Sequence, residues 1–140
     1  MAHFYTVFAM AEDVLSRYPL GREADAVRTP GGLRLAELTL DDARVTPEEL
    51  RATPETLALQ AEIAEESGRA ALAANLRRAA ELAAIPQDVV LAIYTALRPR
   101  RSTAAELEKW AANLEQDGAV ATAAFVREAA HVYAERGLLA

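Results

Sequence analysis

From residue 47 onward, every proline and glycine of the chain falls where an α-helix would begin or end, which limits the fold to short helices joined by tight turns. Between these positions apolar residues recur every three or four residues, the period of an amphipathic helix. Thr53-Pro54 is typical of a helix start, and Thr103 with Glu106 forms a second start signal, a capping box. The pattern predicts five helices, at about 54–67, 69–84, 86–98, 103–116 and 119–136.

The first 46 residues carry a different pattern. An apolar stripe at helical spacing predicts a short amphipathic helix within residues 1–17. Residues 18–46 contain prolines and a Gly31-Gly32 turn and show little helical periodicity, yet their leucines are too apolar for a solvated linker. We therefore expect an extended arm over 18–46 that lies on another surface, followed by a helical domain over 47–140. The stripe comprises Phe4, Phe8, Ala11, Leu15 and Tyr18, and the leucines are Leu33, Leu35, Leu38 and Leu40.

The composition favours a single globular domain. Of the 140 residues, 52% are hydrophobic and 26% are charged, which is typical of a folded, soluble chain. The predicted fold is all-α: a compact bundle of about five helices, preceded by the extended arm and the short N-terminal amphipathic helix. Because alanine dominates the helix faces, we expect the helices to approach closely around a thin core.

Charge and residue usage exclude several classes of protein. A net charge of −6 argues against a general nucleic-acid binder, because affinity for phosphate backbones grows with the number of cations presented. The absence of cysteine excludes disulfides and thiolate sites. No apolar run reaches the ~18 residues of a membrane span, and the N-terminus lacks the basic region of a secretory signal. We therefore expect a cytoplasmic protein with no membrane partner and no general affinity for nucleic acid.

The sequence shows no arrangement typical of an active site. His3 and His131 lie far apart, which favours two surface histidines over a metal site. The Gly31-Gly32 pair lacks the Lys-Ser/Thr that follows the glycines of a phosphate-binding loop. The few serines have no base at a spacing that predicts a hydrogen bond. We therefore expect no catalytic, cofactor-binding or metal-binding residue in this chain.

Three arginines surround Pro99 in the segment ALRPRRST, residues 96–103. Arg98, Arg100 and Arg101 follow the last turn of a predicted helix, where a cation interacts favourably with the unpaired carbonyls. One cation would serve that purpose, and three on a tight turn repel each other unless acidic groups lie near. Planar guanidinium groups also suit docking on carboxylates of another protein. Docking, neutralisation within the chain and nucleic-acid contact remain open at this point, with docking favoured.

Two aromatic residues could contact a partner. Trp110 lies outside the line of Leu107 and Leu114 on its helix, so it could cover the core or anchor a partner. For Tyr94 we favour a ring in the core with its hydroxyl at the edge.

Three segments of the chain closely resemble the small (γ) subunit of adenosylcobalamin-dependent diol and glycerol dehydratases. They are TPETLALQAEIAEESGR (53–69), LAANLRRAAELAAIPQDVVLAIYTALRPRRST (72–103) and AAFVREAAHVYAERGLL (123–139). The resemblance runs from about Leu38 to the C-terminus, and YPL (18–20) also looks like a family element. Arg100 departs from the family pattern, since this position is often aromatic.

The resemblance implies a role inside a larger enzyme. Such dehydratases combine large, medium and small subunits, usually as a dimer of heterotrimers, and convert a 1,2-diol or glycerol to an aldehyde and water. Adenosylcobalamin is bound by the partner subunits, and the small subunit, without catalytic groups, packs on the large catalytic subunit and stabilises it. Some family members work in the cytoplasm inside a bacterial microcompartment.

These considerations predict which residues contact partner subunits. The alternative is a free-standing helical module that binds or regulates other proteins. The predicted interface residues are Tyr18, Pro19, Leu20, Leu33, Leu35, Leu38, Arg98, Pro99, Arg101 and Trp110.

Overall fold

Five α-helices make up most of the chain that the computed structural model describes, namely residues 16–19, 22 and 26–140. This part of the chain contains no β-strand, so the all-α prediction is confirmed. Each helix begins and ends within a few residues of the predicted positions. The predicted N-terminal helix lies almost wholly outside the described residues. The helices are α1 (Pro54–Glu66), α2 (Ala70–Ala83), α3 (Gln87–Ala96), α4 (Ala104–Gln116) and α5 (Val120–Glu135).

The predicted caps determine where α1 and α4 begin. Thr53 Oγ1 accepts a hydrogen bond from the Thr56 N–H (3.2 Å) at the start of α1. At the start of α4, the Thr103 N–H donates to Glu106 Oε2 (2.8 Å), and the Glu106 N–H donates to Thr103 Oγ1 (3.3 Å). The Thr103 N–H also lowers the pKa of the Glu106 carboxyl, because it stabilises the ionised form. Gly118, with φ 82°, ends α4 in the left-handed conformation that favours glycine.

Contacts within the chain define two compact units, one ending at Ala80 and the other comprising Glu81–Ala140. In the second unit, α4 and α5 pack against each other around an apolar core. Alanines supply much of this core, so it buries few large side chains. The predicted boundaries at residues 17 and 46 stay predictions. The core residues are Ile93, Leu107, Ala111, Leu114, Ala119, Ala123 and Val126.

An ion-pair network joins α4 to α5 on the surface of the second unit. Arg127 Nη2 lies 2.8 Å from Glu108 Oε1 and 2.9 Å from Glu115 Oε2. Hydrogen bonds from Arg127 hold the pKa of each carboxyl below its usual value. The two carboxylates in turn raise the pKa of the Arg127 guanidinium. Because these groups are solvated, we expect a modest contribution to stability.

Acid is expected to remove the contribution of this network. The pKa values of Glu108 and Glu115 are lowered in the folded state relative to the ordinary glutamate value, because Arg127 donates hydrogen bonds to the ionised carboxylates. The contribution is therefore full at neutral pH and is lost as the pH falls through the folded-state values. Arg127→Met should show a shallower fall in Tm between about pH 6 and pH 3 than the wild-type chain, measured by circular dichroism.

Arg136→Met is the matched control, because Arg136 forms no ion pair within the described part of the chain. Its Tm should fall with acid as steeply as that of the wild type. The same acid dependence in Arg127→Met and the wild type would contradict the assignment.

A locally ordered segment precedes α1 in the first unit. The Gly32 N–H donates to Thr29 O (2.9 Å), which closes the predicted glycine turn. The Glu49 carboxylate accepts hydrogen bonds from the Thr29 hydroxyl and from the Gly31 N–H (3.2 Å). A single 3-10 turn, Leu35–Glu37, follows. The described part of the predicted arm thus contains no α-helix, and its glycine turn is held by hydrogen bonds within the arm and to Glu49.

Gly31→Ala is expected to loosen this turn. A Cβ atom at Gly31 would lie 2.8 Å from Glu49 Cδ, closer than such contacts normally come, so the carboxylate must move and its hydrogen bonds weaken. We expect the free energy of unfolding to fall by up to about 1 kcal/mol, measured by urea denaturation. The same substitution in a Glu49→Ala chain should cost nothing further. Equal costs in the two backgrounds would show that Glu49 does not hold the turn.

Candidate partner interface

The turn between α3 and α4 is held in place by the C-terminal residues of the chain. The Arg100 N–H donates to Leu138 O (2.6 Å), and the Ala140 N–H donates to Ser102 O (3.0 Å). Arg100 has φ 60°, a left-handed conformation that a residue with a side chain adopts only where its surroundings impose it. These contacts fix the backbone of the turn without help from any partner.

The three arginine side chains of this turn are exposed to solvent. Within residues 26–140, none of Arg98, Arg100 and Arg101 forms an ion pair or donates a side-chain hydrogen bond to a carbonyl of α3. Within this range, no carboxylate neutralises the three arginines. If they stabilise the carbonyl end of α3, they do so by electrostatic attraction without a hydrogen bond. Three exposed guanidinium groups on a rigid turn, without an ion-pair partner within residues 26–140, favour docking on an acidic surface.

Three further residues of the predicted interface meet in a groove of the first unit. Tyr18, Pro19 and Leu35 line this groove together with apolar side chains from α1 and α2, among them Ile63 and Leu72. The groove has a volume of about 720 Å³ and opens to solvent. The structure therefore brings together residues that lie far apart in the sequence.

Of the remaining predicted interface residues, Pro99 is exposed on the arginine turn, and three others are less exposed. Leu33 and Leu38 are half-buried. Trp110 is half-buried and packs against the core of the second unit, which favours the interpretation as a cover for the core. Its contact with a partner stays a prediction. Leu20 lies outside the described residues.

Tyr94 does not lie in the core, so the prediction of a core ring is wrong. Its side chain is 57% exposed, and Leu91, one turn earlier on the same helix, is 59% exposed. On the other side of α3, Ile93 is buried and Val89 packs against the core. The helix thus carries apolar side chains on two faces, whereas the sequence interpretation assumed one.

Glu81, at the end of α2, is a structural residue that sequence reasoning missed. Its Oε1 atom accepts a hydrogen bond from the Ala121 N–H (2.9 Å), and Oε2 accepts from the Thr122 N–H (2.8 Å) and hydroxyl (2.6 Å). Ala119, the N-cap residue of α5, has no side-chain oxygen for this role. Because about 40 residues separate the partners, no local spacing marks the contact. The segment RAAEL (78–82), which carries part of the family resemblance, contains this cap.

The described ranges show surfaces suited to contact rather than a group of reactive side chains. Within them, no group of three or more histidine, aspartate or glutamate side chains could hold a metal ion. The groups with shifted pKa values are solvated carboxylates and arginines at ion pairs and caps, and none of them lines the groove. Of the described helices, none is long and apolar enough to cross a membrane.

Comparison with known proteins agrees with the resemblance seen in the sequence. The family model for the dehydratase small subunit matches residues 14–140. The chain is 54% identical over 101 residues to the propanediol dehydratase small subunit of Citrobacter freundii, and 49% identical over 127 residues to that of Salmonella typhimurium strain LT2. These matches cover 71% and 87% of the chain, and 55% and 73% of the relatives. The chain thus spans about half the length of the Citrobacter relative, and it belongs to the dehydratase small-subunit family.

Proposed function

We propose that this chain is the non-catalytic small subunit of an adenosylcobalamin-dependent diol dehydratase, and that it packs on and stabilises the large catalytic subunit. The observation that carries the proposal is the identity of about half of the aligned residues with two propanediol dehydratase small subunits. In the proposed reaction, a 1,2-diol loses water to give an aldehyde, so that propane-1,2-diol gives propanal. Glycerol is the second candidate substrate.

The proposed partners are a large and a medium subunit, assembled with this chain as a dimer of heterotrimers. Three features of the described residues support a subunit role. The core of the second unit is small, the arginines at the turn after α3 have no carboxylate partner in this range, and several large apolar side chains are exposed. A contact with other subunits would cover such surfaces. The proposed place of action is the cytoplasm, either free or inside a bacterial microcompartment.

The described lining of the groove in the first unit does not fit adenosylcobalamin. The lining of the groove in the first unit contains no histidine that could ligate cobalt, and Arg69 is its one charged side chain. We therefore assign the cofactor to the partner subunits and derive no catalytic step for this chain. Its proposed contribution is to hold the large subunit in its folded, assembled form.

Co-expression with large and medium dehydratase subunits tests the proposal. An affinity tag on this chain should retain both larger subunits, and the purified complex should form propanal from propane-1,2-diol only when adenosylcobalamin is added. Omitting this chain should leave the larger subunits less soluble and less active. Failure to retain them would contradict the subunit role and favour a free-standing module that binds or regulates other proteins.

A further inference from the structure

The outer face of α3 presents apolar side chains to solvent although the inner face already supplies the core. Leu91 and Tyr94 are more than half exposed, one helical turn apart and therefore side by side. Ile93, between them in sequence, is buried in the core of the second unit. A surface helix in a free-standing protein normally turns its polar residues outward. This outer face is therefore suited to contact with another molecule.

The arginine turn follows directly after this helix. Arg98 lies two residues past Ala96, the last residue of α3, and its N–H donates to Thr95 O (3.2 Å), so the turn starts at the end of the helix that carries Leu91 and Tyr94. Arg101 follows on the same rigid turn, held by the hydrogen bond from its N–H to Arg98 O (3.2 Å). Neither guanidinium group has a carboxylate partner among the residues described. Tyrosine and arginine are enriched at the energetic centre of protein interfaces, and the exposed leucine adds apolar area next to the tyrosine.

The charge of this surface indicates what kind of molecule covers it. The face carries two cations within a chain whose net charge is −6. A nucleic acid would require a larger array of cations to bind at physiological salt. A second copy in a symmetric pair would present the same cations and the same apolar side chains. The complementary surface is an apolar recess bordered by carboxylates on a different protein.

We propose that Leu91, Tyr94, Arg98 and Arg101 form one docking face, and that a larger dehydratase subunit covers it with an apolar recess and an acidic border. The proposal rests on the proposed function, because it takes its partner from the same enzyme. Tyr94 and Leu91 supply the buried contact area, and the two arginines set the orientation by pairing with carboxylates.

Binding of the full-length chain to the purified complex of large and medium subunits tests the docking face. Tyr94→Ala and Leu91→Ala should each weaken the Kd, measured by isothermal titration calorimetry, by about 10- to 100-fold. Leu50→Ala is the matched control, because Leu50 is 67% exposed and lies outside the face. Its Kd should stay within about twofold of the wild-type value. Circular dichroism should show unchanged helix content in all three variants, since the replaced side chains are exposed.

The possible outcomes separate this inference from the proposed function. Tight binding by the wild type and equally tight binding by the Tyr94 and Leu91 variants would overturn the docking face and leave the subunit role standing. No binding by the wild type would overturn both. Binding of the wild type to a 20-base-pair DNA duplex that Tyr94→Ala abolishes would overturn the assignment of the face to a protein partner.

Discussion

Replacing Arg98 or Arg101 by alanine is expected to weaken the association of this chain with its proposed partner subunits by about 2–5 kcal/mol. Both side chains are exposed on a turn whose backbone is fixed from within the chain, so little backbone ordering is needed when they bind. If each guanidinium group faces a partner carboxylate, its removal leaves that carboxylate buried and unpaired. The cost corresponds to roughly a 30- to 5,000-fold rise in Kd.

Arg100→Ala provides the matched control for this prediction. Arg100 lies on the same turn and is also exposed, but the resemblance places an aromatic residue at this position in many relatives. We expect its replacement to change the Kd much less, because the anchoring hydrogen bond to Leu138 O comes from the backbone N–H. Subunit retention and helix content should be measured together. Normal assembly of Arg98→Ala and Arg101→Ala, with less than ~1 kcal/mol lost in folding stability, would mean that the arginines only neutralise the helix end.

Removing the Glu81 carboxylate is expected to lower the free energy of unfolding by about 2–3 kcal/mol. The carboxylate accepts three hydrogen bonds at the start of α5, from Ala121 and Thr122, and its charge lies where the helix dipole favours an anion. Thr122 is buried, so its N–H and hydroxyl would lose their partner without free access to water. Glu81→Gln should recover part of the loss, since the amide oxygen still accepts a hydrogen bond.

Urea denaturation of Glu81→Ala, with Glu128→Ala as the control, measures this effect. Glu128 is an exposed glutamate of α5 that forms no ion pair in the described part of the chain, so its replacement should cost less than about 0.5 kcal/mol. Equal stability of the two variants would contradict the capping role. The comparison isolates the tertiary cap, because both substitutions remove the same charge.

Helix positions could be predicted because the signals that fix them are local. Thr53, Thr103 and Gly118 act on residues within one turn, so their spacing alone placed the starts of α1 and α4 and the end of α4 correctly. Glu81 could not be found in this way, because its partners lie about 40 residues away and are brought near only by packing. Glu49 was missed for the same reason, since the turn that it holds lies about 20 residues earlier.

The candidate interface was predictable only in part. The arginine turn stands out in the sequence as a charge cluster, and the structure shows it exposed and rigid. Tyr94 was assigned to the core because apolar spacing does not distinguish a helix with one buried face from a helix with apolar residues on both faces. Trp110, which could not be assigned from its spacing, packs against the core. The partner contacts of all these residues stay predictions.

Native mass spectrometry of a complex purified through a tag on this chain tests the subunit assignment most directly. The chain should be co-expressed with the large and medium subunits of the dehydratase. We predict one dominant species that contains equal numbers of the three chains, with the mass of a dimer of heterotrimers. Recovery of this chain alone, or only with copies of itself, while the larger subunits assemble without it, would contradict the account.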